Sequence, residues 1–261
     1  MTTKIMGILN ITPNSFSDGS LYLDTEDAYR HAAKMLEDGA DIIDIGGESS
    51  RPGSRPVSYR EELDRIMSTL ERVVKLGANV SIDTTKSAVA EEALRLGACM
   101  INDISGLRFD PQIARQVAKY DAKLVIMHMQ GIPETMQQNP EYEDIIGEIS
   151  DFFEKQATIA LQAGIKPDNL ILDPGIGFGK RLEDNTVILK NLDTFLNLKY
   201  PIMIGASRKS IIGDITQAGV HDRLPGSLAI ACVAAIRGAD YIRVHDVAET
   251  VQALRVLDHI W

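Results

Sequence analysis

Asp83, Asn102 and Asp173 each end a short apolar run, and together they offer two carboxylates and an amide. Arg51, Arg208, Lys209, Arg243 and His245 offer cations, and Asn10 offers an amide oxygen. Two carboxylates suit the acid and base of a glycosidase. The surplus of cations suits a phosphate or diphosphate group better, because guanidinium and ammonium groups hold its oxygens by charge-assisted hydrogen bonds. His31, His128, His221, His245 and His259 show no tight ligand spacing, so a histidine-built metal centre is not expected. No Ser-His-Asp arrangement stands out. In the stretch LILDPGIGFGK from Leu170, a carboxylate stands where a buried run surfaces, followed by Pro174 and glycines at alternate positions. Such a loop can pass its backbone close to a ligand.

The elements that must position these groups follow one pattern. A short apolar run ends in a polar residue, a loop follows, and then a stretch with helical periodicity. The runs end at Asn10, at Gly46-Gly47-Glu48, at Asp83, at Asn102-Asp103, at His128, at Asp173, at Gly205-Ala206-Ser207-Arg208 and at His245-Asp246. Helical periodicity covers residues 26–38, 59–76, 86–96, 111–120, 142–163, 182–192, 225–237 and 247–258. Gly39, Gly77, Gly97, Gly164 and Gly238 stand where helix C-terminal caps belong. Eight strand-then-helix units predict an α/β fold, a single (β/α)8 barrel over residues 1–261. A doubly wound open sheet is the second choice, but no strand leads into a dinucleotide-type glycine fingerprint. In a barrel all strands run parallel, so the polar run-ends converge on one mouth. The loops over residues 12–25 and 49–58 lack helical periodicity and hold Pro and Gly, as lids do.

Composition sets bounds. The chain has 261 residues, 44% of them hydrophobic, enough for one sizeable core. A net charge of −10 argues against general nucleic-acid or acidic-membrane partners. No apolar stretch reaches the roughly 18 residues needed to span a bilayer, and no signal peptide is read at the N-terminus. Cys99 and Cys232 lie in apolar surroundings and are expected to be reduced core residues, which suits the cytoplasm.

The motifs MGILNITPNSFSDG from Met6, DIGGESSRPGS from Asp44, SIDTTK from Ser81, INDISG from Ile101, LDPGIGFGK from Leu172, GASRKS from Gly205 and IRVHDV from Ile242 occur in this order. With them, nearly the whole chain resembles the dihydropteroate synthase family, pterin-binding barrel enzymes of folate synthesis. The resemblance implies a transferase that joins a dihydropterin CH2-diphosphate to p-aminobenzoate and releases diphosphate, with sulfonamides as competing inhibitors. It implies that Asp173 accepts both donors of the guanidine-like pterin edge, with Asp83 and Asn102 on other pterin heteroatoms. Lys209 matches the lysine that reaches the pterin carbonyl and ring nitrogen. Ser50, Arg51, Arg243 and His245 match the diphosphate site. Phe16, Pro52, Phe178, Lys209 and Ser210 match the p-aminobenzoate pocket. Asn10 matches a ligand of Mg²⁺, a cation that takes few protein ligands. The catalytic set so implied is Asn10, Lys209, Arg243 and His245, in a homodimer joined through the C-terminal helices.

Two positions depart from the family pattern. Asn14 stands where the first loop usually has Asp, so closure over metal and cation is expected to weaken. Ser50 stands where Thr is usual and keeps only the hydroxyl. A methyltransferase that passes a methyl group from methyltetrahydrofolate to a corrinoid protein shares the barrel and the pterin carboxylates. It has no need of the Arg51-Pro52 loop or the Ser207-Arg208-Lys209-Ser210 cluster. A catalytically silent pterin-binding paralogue is the other alternative.

Overall fold

The computed structural model describes residues 3–12 and 21–261, with backbone alone for residues 21–24. Asn14 and Phe16 therefore lie outside the described residues. Eight strands alternate with helices: β1 (Lys4–Asn10), α1 (Leu21–Glu37), β2 (Ile42–Gly46), α2 (Tyr59–Lys75), β3 (Val80–Asp83), α3 (Ser87–Arg95), β4 (Met100–Asp103), α4 (Gln112–Lys119) and β5 (Lys123–Met127) form the first part. There follow α5 (Ile145–Gln162), β6 (Leu170–Asp173), α6 (Leu182–Lys190), β7 (Met203–Ile204), α7 (Ser210–Thr216), α8 (Leu224–Ile236), β8 (Tyr241–Val244) and α9 (Val247–Ile260).

All strand pairs are parallel, in the order β6-β5-β4-β3-β2-β1-β8-β7. A single parallel bridge, Leu172 to Ile202, joins β6 to the start of β7 and closes the barrel. There the Leu172 N–H donates to the Pro201 carbonyl at 2.9 Å.

Strand alternation sorts the side chains. One parity points outward against the helices, as with Ile43, Ile45, Ile82 and Leu172 in the large core. The other points into the barrel, where Met6, Ile42, Met100, Val125, Ile171, Met203 and Tyr241 pack together. Further along the same inward parity come Asp44, Asp83, Asn102, Asp173 and Arg243, so the apolar plug sits under a polar mouth. The helices bury one face each. In α2, Ile66, Leu70 and Val73 are buried at helical spacing, and the Ser58 side chain caps the start by accepting the Glu61 N–H at 3.2 Å. The five glycines expected to end helices all take positive φ, from 78° to 109°.

Three local expectations shift. Residues 21–25, read as loop, belong to α1. The helix expected from residue 142 begins at Ile145, because the Glu148 carboxylate accepts the N–H groups of Glu143 and Asp144 and holds them outside the helix. After β7 comes α7, a helix of 7 residues that is too short to show periodicity.

Candidate active site

The strand ends meet as the parallel order requires. Asn10, Gly46, Asp83 and Asn102 are register neighbours across β1 to β4. Arg243, on β8, crosses the barrel. Its Nε donates to Asp44 Oδ2 at 2.6 Å and its Nη2 to Asp83 Oδ2 at 2.8 Å. Burial would pull the Arg243 pKa down, but Asp44 and Asp83 hold it above its ordinary value. Asp83 is pushed up to about 7, chiefly by burial, with Arg243 opposing. Asn102 donates from Nδ2 to Asp44 Oδ2 at 3.1 Å. That bond fixes the amide, so its buried Oδ1, which has no protein partner, is an acceptor aimed elsewhere.

The stretch after β6 forms a loop with its backbone groups engaged. Asp173 Oδ1 accepts the Gly175 N–H at 2.7 Å. Asn185 Oδ1 accepts the Gly177 N–H, and the Tyr142 hydroxyl donates to the Gly179 carbonyl. Gly175 has φ +68°, and a Cβ there would run into the His128 carbonyl oxygen, so no other residue fits this close approach. Burial raises the Asp173 pKa, with Lys209 opposing. Lys209, half-buried before α7, donates to the Ile176 carbonyl at 2.5 Å and stands 4.4 Å from the Phe178 ring centroid, a cation–π contact. Burial lowers its pKa to about 8. Ser210 is exposed beside it.

The diphosphate candidates divide. Arg51 and Pro52 are exposed in the loop after β2, with Ser50 half-buried. The Arg51 guanidinium makes no ion pair among the described residues. His245 shares a 3.1 Å hydrogen bond between its Nδ1 and Ser207 Oγ. Burial, then Arg243 and Arg208, bring its pKa down to about 4. The ring is therefore neutral at pH 7, an N–H donor rather than the cation expected from its type.

The remaining polar residues at the strand ends have defined partners. Asp83 and Asn102 cap no helix, since Lys86 and Pro111 occupy the starts of α3 and α4. Arg208 is structural, paired with Asp246 through both Nε and Nη2. Asp103 holds a turn by accepting from the Ser105 N–H and hydroxyl and the Leu107 N–H. Glu48 accepts from Lys86 and from the Val57 N–H.

His128 is a rim histidine with its Nδ1 and carbonyl both engaged. Lys180, only 3% exposed, gives its three ammonium protons to His128 Nδ1, the His128 carbonyl and the Phe178 carbonyl at 3.0–3.2 Å. Burial, then Lys180 and Arg108, lower the His128 pKa from 6.5 to about 2. The folded ring stays neutral while the unfolded one takes a proton below about pH 6.5. Stability is therefore lost as pH falls below that value, by about 2 kcal/mol at about pH 5. Urea midpoints at neutral and mildly acidic pH check this: His128→Asn, which keeps an acceptor for Lys180, is expected to lose less on acidification than the parent chain.

Residues 6–245 match the family model described as pterin binding enzyme. The chain belongs to the dihydropteroate synthase family. It is 46% identical over 255 residues to the dihydropteroate synthase of Escherichia coli K12, covering 97% of this chain and 90% of that one. The dihydropteroate synthase of Clostridium difficile, solved in the presence of pteroic acid, superposes with a TM-score of 0.94 at 44% identity, covering 100% and 97% of the two chains. That of Yersinia pestis, in a sulfonamide drug complex, gives 0.93 at 42%, covering 99% and 94%.

For a dihydropteroate synthase-family chain, the sequence motifs name the mouth well, and they include Asp44 and Lys180 without giving either a role. Asp44 is completely buried inside its strand, yet it joins Arg243 to Asn102. Its signal is parity: a carboxylate two positions after Ile42 in an aliphatic run faces the barrel interior. Lys180 closes the glycine-rich motif, and its ammonium is consumed by three protein acceptors.

Proposed function

We propose that this chain condenses a dihydropterin CH2-diphosphate with p-aminobenzoate to give dihydropteroate and diphosphate. The observation that carries the reading is one mouth holding the buried Asp173 carboxylate, the Asn102 Oδ1 acceptor and the Arg243–Asp83 pair, with Lys209 beside Phe178. The ligands of the two solved relatives, pteroic acid and a sulfonamide drug, agree with such a mouth.

The residues divide the work. Asp173 accepts the paired donors of the pterin edge, and its bond to Gly175 keeps the carboxylate in place. Asn102 and Asp83 serve other pterin heteroatoms, and Lys209 the pterin carbonyl. Arg243, with Ser50, Arg51 and the His245 N–H, binds the diphosphate and stabilises it as it leaves. The chain then needs no nucleophile of its own: the electron-rich pterin stabilises its exocyclic CH2 cation, and the neutral aromatic amine attacks. Phe178, Pro52, Ser210 and the Lys209 stem flank the amine, with Phe16 expected to join them.

Asn10 fits a Mg²⁺ ligand. Its side chain makes no hydrogen bond among the described residues, and its Oδ1 lies over Gly46, where an added Cβ would come within 3.6 Å. No group of three His, Cys, Asp or Glu side chains that could hold a metal occurs among the described residues. Mg²⁺ with one amide oxygen, waters and diphosphate oxygens suits that donor set and would neutralise charge on the leaving group. The reading includes a homodimer. Val233, Ile236, Val256, Ile260 and Trp261 are exposed on α8 and at the C-terminus, where a second copy would cover them.

Purified protein given the dihydropterin diphosphate, p-aminobenzoate and Mg²⁺ is expected to release diphosphate, with sulfonamide competing against p-aminobenzoate. Pterin binding without diphosphate release would overturn the reading in favour of a silent paralogue. Methyl transfer to a corrinoid acceptor would favour the methyltransferase.

A further inference from the structure

The loop after β2 has a neck. The Val57 N–H donates to Glu48 Oε2 at 2.8 Å across nine residues of chain, so Glu48 ties the two ends together. The same oxygen accepts from Lys86 Nζ at 2.6 Å, and Lys86 Nζ also donates to Glu62 Oε2 at 2.6 Å. Glu62 is completely buried on α2, with its Oε1 lacking a protein partner. Arg65 of the same helix donates to the Gly47 carbonyl at 2.7 Å, one residue before the neck. Glu48, Glu62 and Lys86 line one small cavity with Ser50, Asp83 and Thr84, so the network touches both the diphosphate loop and the mouth.

Stability alone is a poor account of such a pair. Burying two charges costs nearly as much as their attraction returns, and apolar side chains of the same size would pack at least as well. A half-buried ammonium between two carboxylates, one of them fully buried, does fix geometry, because both hydrogen bonds have narrow distance and angle limits. Inside the neck, the single Ser54 hydroxyl proton is shared between the carbonyls of Ser49 at 2.6 Å and Arg51 at 2.7 Å, and the Gly53 N–H donates to that of Pro133. A shift at Glu48 is therefore passed on to Ser50 and Arg51.

We propose that Lys86 is a positioning residue for the diphosphate loop: held between Glu48 and Glu62, it fixes the neck at Glu48–Val57 and with it the placement of Ser50 and Arg51. This rests on the function proposed above for what those two residues bind. Lys86 touches no reacting atom and acts through Glu48.

Two variants test it. Lys86→Met removes the ammonium at constant length. Glu48→Gln keeps an acceptor for Val57 and leaves the Lys86–Glu62 pair intact, so it retains the fold if the first does not. Hydrogen exchange of the 48–57 peptide is expected to quicken about tenfold in Lys86→Met, and less in Glu48→Gln, as a local opening of that size requires. KM for p-aminobenzoate and for the dihydropterin diphosphate is expected to rise by about tenfold, since small misplacements of binding groups carry penalties of this order or larger. The Kd of 6-hydroxymethylpterin, which lacks the diphosphate, stays unchanged. Unchanged loop exchange in a folded variant overturns the proposal. So does an equal loss of 6-hydroxymethylpterin affinity, which marks a general structural role. Hydrogen exchange needs no turnover, so a chain without synthase activity would sink the proposed function and leave this inference to be judged by the loop.

Discussion

Asp44→Ala is expected to cost about 3 kcal/mol of unfolding free energy, at the lower end of the range for breaking a buried ion pair. Asp44 is fully buried and takes a donor from each of two side chains. Its removal strands the Nε of Arg243 and the Nδ2 of Asn102 where water does not readily reach. Arg243 keeps Asp83, which is why the upper end of the range is not reached. Since a domain has about 5–15 kcal/mol in hand, the variant should still fold. Asp44→Asn, which keeps an acceptor but no charge, should lose less. Urea unfolding of the three proteins measures both differences, and a loss in Asp44→Ala of under about 1 kcal/mol, the size seen for exposed pairs, would sink the account. On the proposed function activity should fall as well, because the same carboxylate joins Arg243, assigned to the diphosphate, to Asn102, assigned to the pterin.

The second large effect belongs to Asp173. Asp173→Asn replaces a carboxylate by an amide that presents one acceptor and two donors, so one of the two pterin donors meets an N–H. A charge-assisted hydrogen bond contributes about 1.5–3 kcal/mol, so the Kd of 6-hydroxymethylpterin should rise roughly 30-fold. Inorganic diphosphate affinity should barely change, because Arg243 reaches Asp44 and Asp83 rather than Asp173. Calorimetric titration with each ligand separates the two. Equal losses for both would show that Asp173 shapes the whole mouth instead of the pterin edge.

Much of this architecture is visible in the sequence because a barrel repeats one local rule. Each strand is an apolar run that stops at a polar residue, and parallel pairing alone brings those stops together. Asp83, Asn102 and Asp173 are legible for that reason. Asp44 is not, because it lies within its run rather than at the end. The pairings themselves escape local patterns: Arg243 meets Asp83 across 160 residues and Asp44 across 199. The type of His245 suggests a cation, while its burial beside Arg243 makes it neutral. Lys180 follows three glycines with no partner visible in the sequence, and only the closeness of His128 and Phe178 reveals that its protons are spent. The helix after β7 is short enough that its tertiary setting, not its pattern, makes it helical.

The barrel's closure bears on how ligand and fold depend on each other. Seven of its eight joints are ladders of two or more paired residues, and the joint between β6 and β7 is a single bridge. Asp173 ends β6 on one side of that joint, and Lys209 follows β7 on the other. On the proposed function, a pterin held by both would be a rivet across the thinnest seam of the wall. By linkage, one coupling free energy joins the two: as far as bound pterin favours the closed seam, the closed seam favours pterin, and a substitution that opens the seam far from the mouth will register as weaker binding.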